Sequence, residues 1–73
     1  MNNHLLATME EIGTLIRDTR KQQGLSQEEF AFKCDLDRTY ITSLERGKRN
    51  ISLENLEKIA KAFNMTLSEF FNF

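Results

Sequence analysis

At 73 residues the chain fits one domain with a modest core, small enough for a second copy to add stability. It has no proline and only three glycines, Gly13, Gly24 and Gly47, which favours helices joined by short connections. A formal net charge of −1 excludes a chain that is basic throughout, so any attraction to a polyanion has to be local.

Residues Met1 to about Ala7 carry no periodic pattern and are expected to form a frayed arm. Ile12, Leu15, Ile16 and Thr19 then recur at helical spacing. Arg20 and Lys21 complement the negative end of that helix, and Gly24 stops it as a C′ residue. Ser26-Gln27-Glu28-Glu29 is a capping box, in which the serine oxygen accepts from the N3 amide and Glu29 reaches back. Phe30, Ala31 and Cys34 make the inward face of this second helix, and Asp35-Leu36 makes a turn. Asp37 caps a third helix over Arg38 to Arg46, with Ile41 and Leu44 inward and Gly47 as its stop. Ser52 caps a fourth helix whose apolar positions are Leu53, Leu56, Ile59, Ala60 and Phe63. Thr66-Leu67-Ser68-Glu69 is a second capping box that opens a short fifth helix ending at Phe73. The expected fold class is all-α, a single domain of five helices over residues 1–73.

Two short helices joined by a tight turn, over about 26–46, form a helix-turn-helix, the layout that sends its second helix into the DNA major groove. With Ile41 and Leu44 inward, the helical period puts Arg38, Thr39, Thr42, Ser43 and Arg46 on the outer or flanking face. Arginine can donate twice to guanine O6 and N7, and threonine and serine hydroxyls can donate or accept. N-terminal residues reach deepest in this docking, so Arg38 and Thr39 are the leading base-reading candidates, with Tyr40 beside them for a base or a phosphate. Gln27 opens the preceding helix, where an amide side chain suits a phosphate. Lys48, Arg49 and Asn50 follow the third helix and can clamp the backbone. From Arg38 to Asn50 there are four cations and one acid, Glu45, so this window is net +3 on a nearly neutral chain. Taken alone, such a face is also what any solvated helix shows.

The segment SQEEFAFKCDLDRTYITSLERG resembles the helix-turn-helix of phage-repressor-like, XRE-type regulators, and the match runs from roughly Glu11 to Phe71. More narrowly, DRTYITSLERGKRNISLENLEKIAKAF is similar to the controller proteins of restriction–modification systems. That resemblance implies a small cytoplasmic homodimer that binds a palindromic DNA site upstream of its own gene and of an endonuclease gene. It implies activation at low occupancy and repression at high occupancy. Carried over by position, Gln27 is implied as the phosphate-binding glutamine and Arg38, Thr39 and Tyr40 as the base-reading or shape-reading group. Thr42, Arg46, Arg49 and Asn50 are implied as backbone contacts. Arg20 and Glu45 match a pair that forms a structural salt bridge in the family, and Glu28 stands where an acidic residue can touch RNA polymerase. The family often has glycine in the turn where this chain has Asp35, a residue that tolerates a left-handed backbone better than most.

The C-terminal end, about 60–73, holds Phe63, Met65, Leu67, Phe70, Phe71 and Phe73, more apolar surface than so short a chain can cover itself. Phe63, Leu67 and Phe70 must serve the core in part. Met65, Phe71 and Phe73 are expected at a two-fold interface that sets two recognition helices roughly 34 Å apart, one turn of DNA.

Other classes find less support. His4 is the only histidine, Cys34 the only cysteine, and no glycine-rich phosphate loop or metal-ligand spacing occurs, so neither catalysis nor a metal or other cofactor is expected. A lone cysteine fits a reducing compartment. No basic-then-apolar leader and no apolar run of spanning length is seen, so no membrane partner is expected. A protein-interaction module of the antirepressor kind remains an alternative, but has no need of cations flanking a small-hydroxyl helix. A phage or plasmid repressor, or an antitoxin-type regulator, would share the same chemistry.

Overall fold

The computed structural model describes residues 8–72. The arm expected over Met1 to Ala7 and the interface role of Phe73 lie outside the described residues. Five helices follow one another: α1 (Met9–Gln22), α2 (Gln27–Cys34), α3 (Arg38–Glu45), α4 (Leu53–Ala62) and α5 (Leu67–Phe71). No strand occurs among the described residues, and the all-α expectation holds.

Local chemistry sets the boundaries. Ser26 and Thr66 each accept from the N3 amide, while Glu29 and Glu69 answer the cap amide, closing both expected capping boxes. The backbone amide and hydroxyl of Ser26 together hold the Glu29 carboxyl below its ordinary range. Thr8 and Glu11 form a third box at the head of α1, which the sequence reading did not include. Four helices end alike. Gly24, Asp35, Gly47 and Asn64 each take a left-handed backbone, and the next amide returns to a carbonyl five residues back, as Leu25 does to Arg20 and Lys48 to Ser43. Asp35, at φ 58°, takes in the turn the left-handed conformation that glycine adopts freely. Arg46 falls just past α3 as its C-cap, and α5 stops at Phe71 rather than Phe73, with Asn72 left-handed at φ 60°.

The core is assembled from every helix. Ile16, Phe30, Ile41, Leu44, Ile59 and Phe63 are fully buried, with Ala31, Cys34, Ala60, Ala62 and Phe70 beside them. An aromatic ladder runs outward through it, Phe30 stacked on Phe63 with centroids 4.3 Å apart, Phe63 on Phe70 at 5.7 Å, and Phe71 edge-on to Phe70 at 5.2 Å. Gly13, in the middle of α1, lets α1 and α3 touch backbone to backbone, because a Cβ there would strike the Leu44 carbonyl oxygen.

One apolar position of α4 stays outside the core. Leu53 is 66% exposed. It is the first residue of α4, a full turn before Leu56, where the helix has not yet come under its neighbours. Phe32, on the outer face of α2, is 88% exposed and was not singled out by periodicity.

Candidate nucleic-acid interface

The third helix is held by its cap and by two anchors. The Asp37 Oδ1 accepts from the Thr39 amide at 2.8 Å, fixing the first turn, while Ile41 and Leu44 are locked in the core. The remaining positions turn outward. Arg38, Thr39 and Arg46 are exposed, and Tyr40, Thr42 and Ser43 are half-buried. The Ser43 carbonyl accepts from the Lys48 amide, so this residue also helps to close the helix.

Gln27 is tied to this helix. Its Nε2 donates to Glu45 Oε1 at 3.0 Å, and its Oε1 accepts from the Thr42 hydroxyl at 3.0 Å. Only the amide nitrogen can face a carboxylate, so Glu45 fixes which way the amide points. Glu45 is in turn gripped by Arg20, with Nε to Oε2 at 2.6 Å and Nη2 to Oε1 at 3.0 Å. The third guanidinium nitrogen, Nη1, donates to the Leu25 carbonyl at 2.8 Å. A single polar chain therefore links α1, the α1–α2 connection, α2 and α3. The Thr42 hydroxyl, placed between Gln27 and the Arg38 carbonyl 3.0 Å away, is engaged inside the protein.

The arrangement also decides the electrostatics. Arg20 neutralises Glu45 within the fold, and both are 7% exposed. Between Arg38 and Asn50 the exposed charges are thus Arg38, Arg46, Lys48 and Arg49, all positive.

These cations do not form one cluster. Arg46 ends α3, about 12 Å from Arg38 along the helix axis, and lines a cleft with Glu10, Thr14, Arg17, Glu45 and Lys48. Arg49 folds back instead, its guanidinium carbon 4.9 Å from the centroid of the Tyr40 ring. The Tyr40 hydroxyl accepts from Asn55 Nδ2 at 3.1 Å. Asn50 is exposed beside Arg49. Asn55 was missed from sequence. As the third residue of α4 it reads as a helix-start amide, and only the tertiary fold carries it to Tyr40.

Glu28 is exposed in the first turn of α2. Met65 and Phe71 are half-buried at the C-terminal end, packed on the core cluster. Among the described residues no group of three or more His, Cys, Asp or Glu side chains can hold a metal ion, and no helix is long and apolar enough to cross a membrane. Cys34, the last residue of α2, is buried, and desolvation pushes its thiol up to about 12.

The helix-turn-helix family model HTH_3 matches residues 16–70. The chain is 54% identical over 61 residues to control protein C.MunI of a Mycoplasma species, covering 82% of each chain. It is 47% identical over 62 residues to control protein C.BamHI of Bacillus amyloliquefaciens, covering 84% of this chain and 76% of that one. Among solved structures, the restriction–modification controller protein C.AhdI of Aeromonas hydrophila superposes with a TM-score of 0.81 at 42% identity, covering 85% of this chain and 94% of that one. The controller protein C.Esp1396I, solved as a tetramer with its natural 35 base-pair operator, superposes with a TM-score of 0.83 at 36% identity, covering 88% and 84%.

Proposed function

This chain belongs to the helix-turn-helix family, and from that premise we propose that it is the controller protein of a restriction–modification system. It is a DNA-binding transcriptional regulator. It acts as a homodimer on a palindromic operator upstream of its own gene, and it times expression of the companion endonuclease. Its place of work is the cytoplasm, where that DNA lies.

The observation that carries this reading is the outward face of α3 with its flanks. Arg38 and Thr39 project from a capped helix N-terminus, and no exposed acid interrupts the cations from Arg38 to Asn50. Arg38, Thr39 and Tyr40 read bases or groove shape, while Gln27, Ser43, Arg46, Arg49 and Asn50 hold the sugar–phosphate backbone. Thr42 serves through Gln27, with which it shares a hydrogen bond. Gln27 commits one N–H to Glu45, which leaves the other for a phosphate oxygen.

Met65 and Phe71 form the two-fold contact that spaces the two α3 helices by one turn of DNA. Glu28, exposed at the head of α2, meets RNA polymerase when the dimer activates.

A gel shift and footprint on the DNA just upstream of the gene, over a range of salt, tests the reading. A protected palindrome whose affinity falls as salt rises supports it, since phosphate contacts release counterions. No binding at low salt by a folded dimer overturns it in favour of a protein-interaction module.

A further inference from the structure

We propose that Asn55 is a positioning residue for base recognition, and that it does so by setting the polarity of the Tyr40 hydroxyl. The inference rests on reading α3 as the recognition helix.

Asn55 is rigidly placed. Its backbone amide donates to the Ser52 Oγ at 3.1 Å as part of the α4 cap, so the cap sets where its side chain starts. From there Nδ2 reaches the Tyr40 hydroxyl at 3.1 Å. The Tyr40 ring is held from a second direction by the Arg49 guanidinium, 4.9 Å from its centroid. Two contacts from outside α3 therefore fix the hydroxyl and the ring face of a side chain whose ring also packs against the core.

The direction of the hydrogen bond matters as much as its presence. An amide NH2 can only donate, so the phenol oxygen accepts and its own hydrogen turns away from Asn55. Tyr40 is thereby presented as a donor. The major-groove groups able to answer it are acceptors, guanine O6 and N7, adenine N7 and thymine O4, and not the amino groups of cytosine or adenine. A residue that need not touch DNA thus selects which base edges Tyr40 can read.

Asn55→Asp tests this with almost no change of shape. A carboxylate can only accept, so it draws the tyrosine hydrogen inward and removes the donor, and an acid in the first turn of a helix is well tolerated. Tyr40→Phe removes the same donor from the other side. The probes are a duplex selected by the wild-type chain from a random-sequence pool and a scrambled duplex of the same composition. The readout is the ratio of the two affinities, in which the general penalty of an added negative charge cancels.

Asn55→Asp and Tyr40→Phe are each expected to lower that ratio by roughly threefold to tenfold, the worth of one hydrogen bond. The double variant is expected to lose no more than either single one. Multiplying losses, or an unchanged ratio in Asn55→Asp with its melting temperature intact, would overturn the assignment. Should Asn55→Asp lose its fold, Asn55→Ala takes its place, since it frees the Tyr40 hydroxyl to rotate and is expected to lower the ratio with Tyr40 intact, and an unchanged ratio there would equally overturn the assignment. A random pool from which the wild-type chain enriches no sequence would instead overturn the DNA-binding reading itself, so the two failures are distinguishable.

Discussion

Arg20 and Glu45, 25 residues apart in sequence, close a buried two-bond ion pair that also decides the orientation of Gln27. The pair joins α1 to the end of α3, and its acidic half keeps the amide of Gln27 facing inward by one N–H only. A contact that looks purely structural therefore sets the pose of the side chain proposed to hold a phosphate. This coupling explains why an acid is tolerated within an otherwise cationic segment.

Glu45→Ala leaves the Arg20 guanidinium buried without its partner. Breaking such a pair from one side costs about 3–5 kcal/mol, whereas replacing both partners by apolar residues is often close to neutral. Urea unfolding is expected to show a large loss for Glu45→Ala and a smaller one for Arg20→Leu/Glu45→Leu. Equal losses would mean that the pair's geometry, not its isolated charge, carries the stability.

Gly13→Ala is expected to destabilise the chain, against helix propensity. Alanine gains about 1 kcal/mol over glycine inside a helix. Here its Cβ would strike the Leu44 carbonyl, a backbone atom that moves only if α1 and α3 separate. Overpacking of this kind costs about 1–3 kcal/mol, so the net sign is negative. Gly24→Ala is the control, with open space around the Cβ but φ at +72°, and costs only the left-handed strain, about 1–2 kcal/mol. A higher melting temperature for Gly13→Ala would contradict the close approach.

The difference between these two glycines marks what the sequence discloses. Gly24 is legible because it follows a periodic segment and precedes a capping box, all within a few residues. The caps at Ser26, Asp37, Ser52 and Thr66 are legible for the same reason, being short-range chemistry. The box at Thr8 is equally local, yet it lies at the edge of a segment without period, where no apolar repeat points to a helix start. Gly13 shows no local signal at all, because its reason is a carbonyl 31 positions further on, Leu44. Leu53 misleads by fitting the apolar period at a place the core does not reach. The candidate interface divides in the same way. Arg38 and Thr39 follow from the phase of α3, but the separation of Arg46 from Arg49 and the bond from Asn55 to Tyr40 arise only when the chain folds back.

Cys34 is expected to resist thiol reagents in the native state. Burial disfavours its thiolate and pushes the thiol up to about 12, from an ordinary value of 9.0. At mildly alkaline pH its modification should track unfolding and become fast in denaturing urea. Because the folded value is raised, this group favours the folded state below pH 9 and loses that contribution between 9 and about 12, where only the unfolded chain sheds its proton. Rapid labelling of folded protein would show that the α2 face opens locally.

Glu28→Ala is expected to separate DNA binding from activation. The side chain is exposed in the first turn of α2, and no hydrogen bond ties it to Gln27 or to the cap at Ser26. Operator affinity in a gel shift is expected to stay within about twofold, a few tenths of a kcal/mol, since an exposed surface change has little else to disturb. Transcription from the activated promoter in a purified system is expected to fall. A matching loss of operator affinity would assign Glu28 to DNA contact or to local helix stability instead.

Phe71→Asp is expected to give a folded monomer. Phe71 ends the aromatic ladder that begins at Phe30, and lies half-buried against Phe70 with ring centroids 5.2 Å apart. A carboxylate here would remove apolar area from the proposed contact and set two like charges near its two-fold axis, since an isologous interface repeats every substitution. Sedimentation should report half the wild-type mass with the helical circular dichroism preserved. Affinity for the full palindrome should fall far more than affinity for one half-site, because two linked α3 helices bind with a gain in effective concentration that a monomer lacks. An intact dimer would move the interface away from this end of the fold, and an equal loss on full and half sites would show that the substitution acts within the protomer.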